Sequence, residues 1–182
     1  FEKCAALENV TLPESLTSMG IRVFNACESL TSVYIPKGIN LIPEMAFCDC
    51  YSLSSVTMAG ENIELGDSAF EGSGLTELNF LDKVSVIGYR AFASCESLES
   101  AVISSNVKSI GESAFSDAAL KSITINNGIT SIGDMAFAST KLTEVEIPSS
   151  VISIGKGAFQ STSLSKVTLN EGLQSIGASA FT

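Results

Sequence analysis

From Leu7 onward the chain repeats one pattern every 22 or 23 residues. Copies open at Leu7, Leu30, Leu53, Leu75, Leu98, Leu120, Leu142 and Leu164, the eighth incomplete, and the segment before Leu7 is the tail of a preceding copy. The pattern is L-x-x-[VI]-x-[IL]-P-x-x-[VI]-x-x-I-G-x-x-A-F, then five or six steps from the Phe to the next Leu. A period of this length excludes an ordinary globular core. It predicts a quasi-one-dimensional stack in which each copy packs mainly on its neighbours. No linker or low-complexity run interrupts it, so residues 1–182 read as a single solenoid.

Stacking the copies gives columns. Phe1, Phe24, Phe47, Phe70, Phe92, Phe115, Phe137, Phe159 and Phe181 form one, taking nine of the ten phenylalanines and marking a core ladder. Ala precedes the Phe in all copies but one, where Val23 stands. Gly follows the Ile column, with Pro43 as the exception; Gly there implies a positive φ or a close backbone approach.

Within a copy, L-x-x-V-x-I has the period-two alternation of a strand, and its β-branched residues suit one. Pro then ends it, lacking an N–H for the ladder. V-x-x-I-G predicts a second short extended piece. Glu44, Asp67, Glu112 and Asp134 each stand two residues before the Ala-Phe pair, and such acids suit the start of a helical turn. The expected fold is mostly β: a right-handed solenoid with two parallel ladders, copies ~4.8 Å apart, and a rod about 35–40 Å long.

The sequence holds 20 acidic and 10 basic residues and no histidine. Zinc sites or triads built on His are excluded, and a net charge of −10 argues against nucleic-acid partners, which need clustered Lys and Arg. No run is apolar enough to insert in a membrane. The chain begins and stops at the Phe of a copy, which predicts a segment of a longer protein. Apolar columns left open at Phe1 and Phe181 predict weak end-to-end association. The third copy is irregular: at Gly60, Glu61 and Asn62 an Asn stands where Val belongs, in the acid-rich stretch Glu61, Glu64, Asp67, Glu71, Glu77, Asp82. A local bulge explains it, and a cation site is the alternative, although no EF-type spacing is present.

These residues resemble the BspA-like, or Treponema pallidum-type, leucine-rich repeats, whose pattern continues A-F-x-x-C-x-x-L. The likeness covers the whole chain, with Leu30 to Leu53 and Leu142 to Leu164 among the clear copies. It implies a leucine-rich-repeat solenoid from a bacterial or protist surface protein, secreted or at the cell surface. It also implies an adhesion or recognition role toward extracellular proteins, cells or glycans. The family carries no catalytic or cofactor motif to transfer. Departures are Pro43, the third copy, and Ala, Ser or Thr at positions where the family often has Cys.

Cys4, Cys27, Cys50 and Cys95 lie three residues after the Phe, each in a copy with six steps to the next Leu. Five-step copies carry Ser73, Ala118, Thr140 and Thr162 instead. Loop length and thiol go together, which predicts buried structural thiols filling the longer turn. Disulfides and zinc are the alternatives; parallel Cβ vectors suit the first poorly and the spacing does not suit the second. Cys48 stands outside the column, and the pattern leaves its exposure open. No G-x-S-x-G occurs. The sequon Asn9-Val10-Thr11 marks at most a surface strand.

The candidate contact face is the outward side of the first strand. Its columns read Asn9, Ser32, Ser55, Glu77, Ser100, Ser122, Glu144, Lys166 and Thr11, Tyr34, Thr57, Asn79, Val102, Thr124, Glu146, Thr168. Ser and Thr fill half of these positions and suit a passive spacer. Tyr34, Glu77, Asn79, Val102, Glu144, Glu146 and Lys166 interrupt them and suit a binder of an extracellular protein or glycan. A carbohydrate-active solenoid using Glu144 and Glu146 is a weaker third possibility.

Overall fold

The computed structural model covers residues 1–182. The chain coils through thirteen short strands and almost no helix. They are β1 (Ser32–Ile35), β2 (Leu41–Ile42), β3 (Ser55–Met58), β4 (Ile63–Leu65), β5 (Val84–Ile87), β6 (Ser100–Ile103) and β7 (Ser109–Ile110). Then follow β8 (Ser122–Ile125), β9 (Ser131–Ile132), β10 (Glu144–Ile147), β11 (Ser153–Ile154), β12 (Lys166–Leu169) and β13 (Ser175–Ile176). A single 3-10 turn spans Leu81–Lys83. The V-x-x-I strands make one unbroken seven-stranded parallel sheet, β13-β11-β9-β7-β5-β4-β2. Where the fourth copy meets the irregular third, β5 bulges against β4: Ile63 faces Val84 but Glu64 faces Val86, leaving Ser85 as the extra residue.

The segment around each Phe is not helical, contrary to expectation. It is a run of tight turns, with left-handed residues two before and two after the ring. Around Phe47 these are Met45 (φ 53°) and Asp49 (φ 56°); around Phe115 they are Ser113 (φ 54°) and Asp117 (φ 59°). A turn whose third residue is left-handed has this geometry. The Ala46 N–H donates to the Pro43 carbonyl at 3.1 Å and the Cys27 N–H to the Phe24 carbonyl at 3.1 Å. Of the four acids only Asp134 caps a turn with its side chain, Oδ1 accepting from the Lys156 N–H of the next copy at 2.7 Å. The turns stack as a third hydrogen-bonded column, with Met45, Phe47 and Asp49 donating to Asp67, Ala69 and Glu71 of the next copy at 2.8–2.9 Å.

Between the three columns lies one continuous core of 48 buried residues. Successive Phe rings stack along it, with centroids 5.1 Å apart for Phe137 and Phe159 and 5.7 Å for Phe70 and Phe92. Each such pair adds about 0.5–1.5 kcal/mol beyond area burial. The Gly column answers to close approach and not to positive φ. A Cβ on Gly111 would stand 2.6 Å from the Gly88 carbonyl carbon, and one on Gly133 would stand 2.6 Å from the Glu112 nitrogen.

The first ladder is not continuous, as the repeat had led us to expect. It survives as three pairs, β1–β3, β6–β8 and β10–β12, and a single bridge between Asn9 and Ser32. In the fourth copy Phe80 takes the place of the aliphatic Ile. Its ring is buried and tilts between Phe70 and Phe92, and the residues around it turn instead of pairing. Glu77 and Asn79, expected on a strand, lie outside one, though both are exposed.

The second break, between β8 and β10, lacks ladder bonds at both ends of the strand: Thr143 makes no bond to Lys121 like those of Ser54 to Thr31 (3.1 Å) and Ser165 to Thr143 (2.8 Å). Just after the strand, Ala59 donates its N–H to Ile35 O (3.0 Å), Asn126 to Ile103 O (3.1 Å) and Asn170 to Ile147 O (3.3 Å). At the same position the seventh copy has Pro148, which has no N–H to give Ile125.

All five cysteines are free. Cys27, Cys50 and Cys95 are buried, and each thiol donates to the carbonyl of an earlier Phe: Phe1 at 3.2 Å, Phe24 at 3.0 Å and Phe70 at 3.3 Å. In five-step copies Thr140 and Thr162 do the same for their own Phe137 and Phe159, at 2.8 and 2.9 Å. Cys48 is buried too, though outside the continuous core. Burial pushes its thiol up to about 12, helped by Asp49 and Glu71, and burial pushes Cys50 to about 12 as well.

Phe137→Ala should lower stability by about 3–5 kcal/mol in urea unfolding, and Gly111→Ala by about 1–3 kcal/mol through overpacking. Ser139→Gly, at a left-handed position (φ 58°), should stay within about 1 kcal/mol of the parent. An equal loss in all three would contradict the turn geometry. Ellman titration should find one accessible thiol, Cys4, in the folded chain and all five after unreduced denaturation. Because Cys48 and Cys50 titrate near 12 when folded, against an ordinary value of 9.0, the unfolded chain loses these protons first. Their stabilisation is complete below pH 9 and should fall as pH rises toward 12; a flat alkaline limb would contradict their burial.

Candidate functional site

Strand alternation sets the face. In β1, β3, β6 and β10 every second residue is buried, so the intervening side chains stand outward. Parallel register then aligns copies: Tyr34 beside Thr57, Val102 beside Thr124, Glu144 beside Lys166 and Glu146 beside Thr168. Tyr34 is 43% exposed and Val102 58%. Partial desolvation, then the charge and hydrogen bonding of Glu14, raise the Tyr34 phenol above its ordinary value.

The expected contact residues do not form one site. Tyr34 lies five copies from Glu144, on the order of 24 Å along the stack. Val102 stands alone on a flat stretch between them. Asn79 lines a small hollow of about 230 Å³ beside Thr57, Asp82 and Lys83, at the fourth-copy break. Glu144, Glu146 and Lys166 do come together, in an open groove of about 500 Å³. Its floor includes Ile125, Val145 and Pro148, and its walls carry Thr124, Asn126, Asn127, Ser149, Thr168 and Asn170. The Glu144 and Lys166 head groups are 3.8 Å apart and largely exposed, a pair worth little to stability. Asn170 Nδ2 donates to Glu146 Oε1 at 3.1 Å, and Ser149 Oγ to Asn127 Oδ1 at 3.4 Å.

The asparagines were missed as site residues. The signal was there: Asn126 and Asn170 stand where the pattern calls for Pro, while Pro148 between them keeps it. The groove lies at the ladder break beside Pro148.

The acid-rich stretch disperses over the surface. Glu61 pairs with Lys83 at 2.7 Å, and Asp82 meets the same ammonium at 3.4 Å. Burial disfavours the charge on Glu71, yet hydrogen bonds from Arg90 and Ser68 hold its carboxyl below the usual carboxylate range. No three of these side chains converge as metal ligands would, and the irregular third copy is matched by the bulge at Ser85 of the fourth. No helix is long and apolar enough to cross a membrane.

Comparison with known proteins agrees with this architecture. The model of the BspA type leucine rich repeat region matches residues 1–99 and 85–182, in six copies. Among curated proteins, none matches. A crystallised leucine rich cell surface protein from Faecalibacterium prausnitzii is similar at 35% identity and a TM-score of 0.69, over 78% of this chain and 39% of that one. The T. pallidum leucine rich repeat protein is 25% identical with a TM-score of 0.64, over 91% of this chain and 71% of that one. A leucine-rich repeat protein from Bacteroides ovatus shares the fold at 22% identity and a TM-score of 0.68, over all of this chain and 66% of that one. The chain thus spans about two fifths of the Faecalibacterium protein and two thirds of the Bacteroides protein. With the family model covering every copy, the chain belongs to the BspA-type leucine-rich repeat family.

Proposed function

We propose that this chain is a recognition module, secreted or carried at the cell surface, that contacts an extracellular protein or glycan through its first-strand face. One observation carries the proposal: this is the face whose strand ladder is interrupted while the rest of the stack runs on. The V-x-x-I sheet is unbroken, whereas the first ladder is interrupted twice and carries Tyr34, Val102 and the Glu144–Lys166 groove. A structure that only had to hold a distance would gain nothing from losing ladder bonds on one side. The relative described as a leucine rich cell surface protein supports the placement.

A spacer is the second reading, favoured by the Ser and Thr at eight of the sixteen outward positions. A carbohydrate-cleaving role has less behind it: Glu144 and Glu146 are exposed and already face Lys166 and Asn170.

The double variant Tyr34→Ala, Glu144→Lys tests the face. Adhesion to extracellular matrix or to glycan-bearing cells should weaken by about tenfold or more, as loss of an aromatic contact and reversal of a charge imply. The thermal midpoint should hardly move, because Glu144 belongs only to an exposed pair. Unchanged adhesion, with a loss from substitutions on the V-x-x-I face, would move the site to the other side.

A further inference from the structure

We propose that the opening between β8 and β10 at Pro148 is a saccharide-binding subsite; this rests on the recognition reading and names its ligand class. The two strands lie against each other but are joined by no ladder pairing. The neighbouring columns do join these copies: β9 pairs with β11, and the Met135 N–H donates to the Lys156 carbonyl at 2.8 Å. The gap therefore stays narrow. Inserting a peptide strand would need about twice the 4.8 Å spacing of neighbouring strands. Strand addition is thus ruled out as the binding mode.

What the groove offers is hydrogen-bonding capacity of both kinds, packed closely. Ile125 lines it, and its carbonyl lacks the N–H donor that the next copy gives Ile35, Ile103 and Ile147. Beside it stand the Asn127 and Asn170 amides, the Glu144 and Glu146 carboxylates and the Lys166 ammonium. Amides donate and accept, carboxylates accept, and ammonium donates. A sugar hydroxyl also both donates and accepts, so adjacent hydroxyls can engage this mixed set without leaving a group unpaired. A purely basic ligand fits less well, since Lys166 already stands 3.8 Å from Glu144 and offsets one of the two acids. The volume of about 500 Å³ falls in the range of small-molecule sites. Its openness to solvent suits a few residues of a longer glycan.

Amide chemical-shift mapping on the folded chain tests this, with maltotriose, mannotriose and N,N′,N″-triacetylchitotriose as probes and capped pentalysine as the basic competitor. At least one trisaccharide should give saturable shifts confined to residues 123–127 and 144–149. Pro148→Ala restores an N–H opposite Ile125 and touches no polar side chain. It should weaken that trisaccharide by about tenfold, the scale of one or two lost hydrogen bonds. Glu146→Gln keeps an acceptor and should cost less than about threefold. Saturable pentalysine shifts that vanish in Glu146→Gln, with the trisaccharides silent, would overturn the saccharide assignment in favour of a basic protein segment. No groove shifts with any probe would also overturn it, as would shifts elsewhere. Parallel cell adhesion separates the two readings: adhesion retained without groove shifts rejects the subsite alone, and adhesion lost rejects both.

Discussion

The turn that carries the phenylalanine is what the rest of the structure depends on. Each copy must return the chain to the same place within 22 or 23 residues and leave a ring stacked on the last one. Two left-handed residues per copy make that return possible, and most are not glycine. Such conformations cost about 1–2 kcal/mol each for L-residues. They persist because the column over-determines them: the turn N–H groups bond to the next copy, the ring is buried, and the Ala before it leaves room. Strain and packing are coupled copy by copy, which keeps the stack in register.

The same turn explains the cysteines. A six-step return leaves the earlier Phe carbonyl within reach of a thiol from the next copy, as for Cys50 and Phe24. A five-step return puts a Thr hydroxyl over its own Phe carbonyl, as for Thr140 and Phe137. The thiol adds a second donor to a Phe carbonyl that already accepts a turn N–H, whereas the Thr hydroxyl serves a carbonyl that receives no backbone N–H. Loop length selects the residue, since a short hydroxyl and a longer C–S bond reach different carbonyls. No redox or metal chemistry is needed to account for the thiol column.

Much of this was legible in the sequence because a repeat supplies its own alignment. The Phe, Leu, Ile and Gly columns, both strand positions and the outward face could be read by laying copies over one another. What escaped was set by single residues acting across copies. Phe80 counted as a spare aromatic, yet its ring in an aliphatic column ends the pairing of the fourth copy and takes Glu77 and Asn79 off the strand. The acid before Ala-Phe has the composition of a helix start, but composition does not separate one helical turn from two left-handed turns. Cys48 sits one residue past its Phe, where burial depends on turn geometry rather than on period. The groove was half visible: Glu144, Glu146 and Lys166 lie on adjacent strands, while the role of Pro148 depends on what the previous copy needs from it.

Proline at that position is part of the family pattern, so its effect reaches beyond one groove. Where the copy has Ala59, Asn126 or Asn170, the N–H closes the ladder onto the copy before; Pro148 leaves it open. Pro36 is the same case, and the first copy meets β1 by a single bridge at Asn9 and Ser32. The residue after the strand thus acts as a local latch on one face, while the V-x-x-I sheet and the turn column hold the copies together regardless. That division lets the first-strand face vary in spacing and chemistry at little risk to the fold. A solenoid built this way can place an opening at any chosen copy by withholding the ladder bonds at the ends of one strand.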